Sequence, residues 1–169
     1  MTRRIVLVGL PGVGKSTVGA ALAATLGVPF FDVDEVVREQ TGETPAALLA
    51  TVGEGAFRAA EADAVASVLA RPGALVVATG GGAVETATTR ELLAAERGVV
   101  LLFAPASVLV ERIGDGGDRP LVAAPTVERL IALGEWRAPW YDEVADVEVE
   151  ATGSIDEVVA RITTLVGVS

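Results

Sequence analysis

A glycine-rich loop set between a short apolar run and a helical stretch constrains this chain more than any other feature. It reads Gly9-Leu10-Pro11-Gly12-Val13-Gly14-Lys15-Ser16, followed by Thr17, and matches the pattern G-x-x-x-x-G-K-[ST]. The preceding residues 5–8, IVLV, are apolar on both alternations and read as a strand covered on both faces. The following residues 15–26 carry a helical pattern. Glycines in such a loop let the backbone curl until successive amides face one point, and the next helix presents its positive end there. Lys15 is spaced to reach β and γ phosphates, and Ser16 to offer a hydroxyl to magnesium. A glycine-rich βα turn with no ligand is the plainer alternative; motif and context together point to a bound nucleotide.

Beyond the loop, short β-branched runs alternate with longer helical patterns, the mark of βαβ units and a parallel sheet. Strands are expected at 5–8, 29–33, 75–79, 99–103 and 146–149. Helices are expected at 15–26, 34–40, 45–51, 54–69, 87–95, 106–113, 126–137 and 155–165. The result is a three-layer α/β/α domain. Two glycine-rich stretches, 80–82 and 114–117, interrupt the pattern, but neither an internal repeat nor a linker divides residues 1–169.

Composition narrows the chemistry. The 169 residues include no Cys and no His, which excludes thiol nucleophiles, imidazole bases, disulfides and the usual zinc sites. Lys15 is the only Lys among 13 cationic residues. A net charge of -10 argues against nucleic-acid or anionic-membrane partners, while a small anion can still be held by cations gathered in one cleft. The apolar run at 5–8 is too short for a signal-peptide core or a membrane span, so a cytoplasmic protein is expected. A guanine-reading Asn-Lys-x-Asp cannot occur without a second Lys, and no Asp-x-x-Gly switch is present, which removes the GTPase reading. The strand at 75–79 runs into Gly80-Gly81-Gly82 where a motor ATPase would carry Asp-Glu. A small kinase remains.

Several residues are candidates for its site. In Phe30-Phe31-Asp32-Val33-Asp34, the two carboxylates at i and i+2 share one face of an extended strand; beside the loop's strand, they would border the same crevice. One could support magnesium and the other accept a proton, or Asp34 could simply cap the next helix. Arg58 lies on the inward stripe with Ala62, Val65 and Leu69, where a guanidinium needs an anionic ligand or an acidic partner such as Glu61 one turn on. Arg137 lies in WRAPWY, whose aromatics read as packing and whose Pro139 ends or kinks the helix. The stretch RIGDGGDRPL, from Arg112 through Leu121 with Arg119 near its end, reads as a flap that could bring a cation onto a transferring phosphate, or as an ordinary exposed loop.

Together, GLPGVGKST, FFDVD, GEGAFRAAE, GGGAV, DRPLV and WRAPWY resemble the shikimate kinase family, in the same order and at similar spacing over nearly the whole chain. The resemblance implies transfer of the γ-phosphoryl group of ATP, with Mg2+, to the 3-hydroxyl of shikimate on the route to chorismate and aromatic amino acids. It implies a nucleoside-monophosphate-kinase fold, a five-stranded parallel sheet in order 2-3-1-4-5. The phosphate loop would span 9–17, the substrate region 33–61 and a lid 113–125. By the same resemblance, Gly12, Val13, Gly14, Lys15, Ser16 and Thr17 would hold the phosphates, Ser16 and Asp32 the metal, and Asp34 the reacting hydroxyl. Arg58 and Arg137 would clasp the substrate carboxylate beside Gly80, Gly81 and Gly82. Arg119 would close over the phosphates and Arg112 would flank the adenine. The partners would be ATP and shikimate alone, on a monomer. A kinase for another polyol acid such as gluconate, or a non-catalytic nucleotide-binding regulator, are the alternatives. After the last strand, the loop VEATGS departs from the Asp-basic pair common in the family, which leaves Arg112 without that companion and implies weak base selectivity.

Overall fold

The computed structural model describes residues 4–114 and 126–167. Five strands, β1 (Arg4–Val8), β2 (Phe30–Asp32), β3 (Leu75–Ala78), β4 (Val99–Phe103) and β5 (Val147–Glu150), form one sheet in the order β2-β3-β1-β4-β5. All four pairings are parallel, as the alternation of strands and helices requires, and Val6 of β1 stands between Val77 of β3 and Val99 of β4. This is the expected three-layer α/β/α architecture.

Each face of β1 enters a different core. Ile5 and Leu7 pack with α1 (Lys15–Leu26), α6 (Ala106–Ile113) and α8 (Ile155–Val166), where Leu22, Leu109 and Ile162 are buried. Val6 and Val8 pack with α2 (Val33–Thr41), α3 (Pro45–Val52), α4 (Glu54–Leu69), α5 (Ala87–Ala94) and α7 (Val127–Val144). Burying an aliphatic side chain contributes about 1.5–3 kcal/mol, so two full apolar layers hold the central strand in place. With that strand fixed, its carboxyl end becomes the rigid point from which the glycine-rich loop departs, at the crevice where strand order reverses.

Three local features differ from the sequence expectation. The strand expected at 29–33 stops at Asp32, because the Asp32 side chain accepts the N–H of Asp34 and so opens α2 at Val33. The helix expected to end at 137 runs on to Val144 through Pro139. Proline there removes one backbone donor, yet Tyr141 and Val144 beyond it are buried in the core, and their packing holds the last turns. A short 3-10 turn, Ala83–Glu85, follows the glycine triplet where no element was expected. Arg119, with residues 115–125 of the expected lid, lies outside the described residues. Among the described residues, no helix is long and apolar enough to cross a membrane.

Candidate active site

Gly14, with φ 102°, turns the chain in the left-handed region and starts α1 with no side-chain cap, so the first amides of α1 remain available to an anion. Lys15 is buried, and its Nζ donates to the carbonyls of Gly9 (2.7 Å) and Leu10 (3.1 Å). A cleft of about 560 Å³ opens here and is lined by Gly12, Val13, Gly14, Lys15, Ser16, Thr17, Asp34, Gly80, Gly81 and Arg112 among others. The fold therefore brings the phosphate loop, the first turn of α2 and the glycine triplet to one space.

Asp32 and Asp34 arrive there differently from the extended reading. β3 lies between β2 and β1, so the segment carrying them is not beside the loop's strand. Asp32, at the end of β2, accepts a hydrogen bond from the Ser16 hydroxyl with one carboxylate oxygen while its other oxygen caps α2. The cap is thus Asp32, not Asp34. Asp34 sits in the first helical turn and lines the cleft, and a Cβ on Gly80 would lie 3.3 Å from its Oδ1. Ser16 and Asp32 together present the hard oxygen donors that magnesium takes.

Arg112 serves as a strut. It donates to the carbonyl of Val13 in the phosphate loop (3.0 Å) and to that of Ala151 after β5 (2.8 Å), tying the two walls of the cleft. The loop after β5 carries no basic residue of its own, and a helix residue braces it. Arg161, from the second turn of α8, donates to the carbonyls of Glu150 and Thr152, both at 2.8 Å.

At the carboxyl end of β3 a charged cluster forms. Arg58 pairs with Glu61 at 2.8 Å, the i,i+3 partner anticipated from the sequence, and also with Glu85 at 3.4 Å. Arg137, which is buried, donates from Nε (3.0 Å) and Nη2 to one oxygen of Glu85, and from Nη1 to the carbonyl of Gly81 (2.7 Å). The Nε of Arg58 is buried with no partner among the described residues. The triplet makes room for all of this: a Cβ at Gly80 would collide with the Glu61 carboxylate, one at Gly82 with the Arg58 guanidinium, and one at Gly81 would come within 2.8 Å of Pro11.

Two residues here escaped the sequence reading. Glu85 joins the two arginines, and Arg90 of α5 staples the turn that carries it by donating to the carbonyls of Val84 (2.8 Å) and Glu85 (3.1 Å). The only sequence signal was a carboxylate closing GGGAVE, which carries no spacing rule. The aromatics around Arg137 divide: Tyr141 is core, while Trp136 is 56% exposed and meets Trp140 edge-on.

Residues 11–166 match the family model described as shikimate kinase. The chain belongs to the shikimate kinase family. A shikimate kinase of Halorhodospira halophila is 46% identical over 159 residues, 94% of this chain and 89% of that one. The structure of the shikimate kinase from Acinetobacter baumannii in complex with shikimate superposes with a TM-score of 0.91 at 36% identity, covering 98% of this chain and 93% of that chain. Shikimate kinases are ATP-using phosphotransferases, and that is the activity of this chain. A gluconokinase from Sinorhizobium meliloti 1021 is 22% identical with a TM-score of 0.63, over 98% of this chain and 92% of that one, and shares the fold.

The cluster has a pH signature. Burial pushes the Glu61 carboxyl above its ordinary 4.5; Arg58 opposes the shift, and the negative charges of Asp34 and Glu85 add to it. The folded chain then holds this proton to higher pH than the unfolded chain does, so stability declines as pH rises through the interval above 4.5. Urea unfolding of wild type and Glu61→Gln at stepped pH is expected to show their stability difference shifting against wild type from 4.5 upward and then levelling. A difference that is flat or moves the other way would contradict this.

Proposed function

We propose that the cleft transfers the γ-phosphoryl group of ATP to the 3-hydroxyl of shikimate by the residue roles that follow. One observation carries the reading: Arg58 and Arg137 converge on Glu85 beside the glycine triplet, with Arg137 reaching the Gly81 carbonyl, next to the cleft that Gly80, Gly81 and Asp34 line, and Arg58 keeps a buried Nε–H with no partner among the described residues. Planar guanidinium groups at one point suit a carboxylate, and a carboxylate side chain with nearby backbone donors suits a diol.

In this reading the amides of residues 12–17 and the Lys15 ammonium hold the phosphates. Ser16 and Asp32 would hold Mg2+, whose charge offsets that of the phosphate oxygens when it is bound. Asp34 accepts the hydrogen bond of the attacking hydroxyl and takes its proton as the new O–P bond forms and the bond to the ADP oxygen breaks. Little proton removal is needed early in a loose transition state, so orientation by Asp34 matters as much as basicity. Arg119, from the segment outside the described residues, would close over the phosphates. Arg112 acts by fixing the nucleotide walls. The substrate region 33–61 works with Gly80, Gly81, Gly82 and Arg137, as expected from the family resemblance, and Glu85 joins them. Because one chain supplies every role, a monomer suffices, working in the cytoplasm on ATP and shikimate.

Mixing the chain with MgATP and shikimate is expected to release ADP, and gluconate in place of shikimate is expected to give no release above background; the reverse preference would overturn the assignment. Asp34→Asn should lower kcat by about 10²–10⁴-fold while ATP affinity holds, since it keeps the shape but loses the base and anionic acceptor. Wild-type turnover in that variant would remove Asp34 from the role. Lys15→Arg should fold and lose most of its activity, because a planar guanidinium does not replace a compact ammonium seated between the Gly9 and Leu10 carbonyls; circular dichroism with the ADP assay separates the two effects.

A further inference from the structure

Glu85 is placed by a chain of local contacts. Its N–H donates to the Gly82 carbonyl at 3.0 Å, closing the 3-10 turn, and Arg90, itself held by Glu143 at 3.0 Å, grips the turn from the other side. The carboxylate is therefore delivered to one spot, between two guanidinium groups. One oxygen accepts from Nε and Nη2 of Arg137, and the other accepts from Nη2 of Arg58 at 3.4 Å. Its side chain is only 15% exposed, so water screens these contacts little.

We propose that Glu85 sets the specificity and affinity of the substrate pocket: it is an internal carboxylate that holds Arg137 and Arg58 in place and competes with the carboxylate of the substrate for them. The inference rests on the reading that these two arginines receive that carboxylate. A guanidinium has five N–H donors. On Arg137, Glu85 and the Gly81 carbonyl engage three, and the engaged Nε/Nη2 edge is the one that would form a fork with a carboxylate. An incoming carboxylate must take the end-on pair of N–H groups or displace Glu85. Charge points the same way. Arg58 and Arg137 are already balanced by Glu61 and Glu85, and Asp34 lies near, so a substrate anion enters as surplus negative charge. Glu85 thus gives order to the arginines at the cost of anion affinity, and it favours substrates whose other groups offset the repulsion.

The test uses the full chain, shikimate, and shikimate carboxamide, whose neutral group keeps the shape without the charge. Michaelis constants come from ADP release, and dissociation constants from quenching of Trp136 and Trp140, which share α7 with Arg137. Glu85→Gln keeps an acceptor oxygen for Arg137 and removes the charge. It should lower KM and Kd for shikimate by about ten-fold while those for the carboxamide barely move, because one repulsive unit charge at close range has gone. The KM for ATP on the same samples should stay at the wild-type value. Glu85→Ala, which removes charge and hydrogen bond together, should tighten shikimate binding less than Glu85→Gln. Unchanged or weaker shikimate binding in Glu85→Gln, or equal shifts for acid and amide, would overturn the competing role. An Ala variant as tight as the Gln variant would overturn the holding role. If wild type itself fails to tell shikimate from the carboxamide, the arginines are not the carboxylate fork and the underlying reading falls; if wild type discriminates and the Gln variant does so equally, Glu85 alone is wrong.

Discussion

Two guanidinium groups set against two carboxylates at the carboxyl end of one strand, Arg137 and Glu61 buried and Arg58 and Glu85 partly so, tie α4, the turn after β3 and α7 together. Arg58 and Glu61 come from α4, Glu85 from the turn after β3, and Arg137 from α7. Removing four charges from water costs several kcal/mol per ion before pairing, so such a cluster is a poor way to gain stability. Its return lies in position. On the proposal that both arginines receive the substrate, each guanidinium is oriented before the ligand arrives, and the conformational entropy that two long side chains would lose on binding has already been lost on folding. The unpartnered Nε of Arg58 and the raised proton affinity of Glu61 are two signs of the same underlying strain between burial and charge.

The phosphate side of the cleft was legible in the sequence because its parts are contiguous. A strand, a turn and a helix N-terminus fall within one stretch, and their geometry follows from backbone conformation alone. The sheet was legible for a related reason: runs such as IVLV and VVLLF can be satisfied only in an interior covered on both faces. Asp32 and Asp34 show the limit. An i,i+2 spacing places two side chains together only if the strand continues, and here Asp32 itself ends the strand by capping α2. Pro139 shows another, since the local cost of proline is overruled by Tyr141 and Val144 packing a full turn later. Arg58 with Glu61 could be read from helix period. Arg137 was located by family likeness, and Glu85 by neither route, because its place depends on a tight turn and on Arg90 from the following helix. The brace on the loop after β5 was hidden in the same way: Arg161 reaches back from the second turn of α8 to the Glu150 and Thr152 carbonyls.

The crowding at the triplet bears on how such a chain can change over generations. Gly80, Gly81 and Gly82 face, in turn, a carboxylate, a proline ring and a guanidinium, each already occupying the place where a side chain would begin. Any base change that alters the encoded residue at a glycine codon adds at least one carbon there. Change at these three codons therefore meets an ion pair on two sides and a proline ring on the third, and no single compensating substitution relieves them all. A side chain at Gly80 or Gly82 would have to displace the end of Glu61 or Arg58 and so pull the charged cluster apart, while one at Gly81 would have to push back the Pro11 ring.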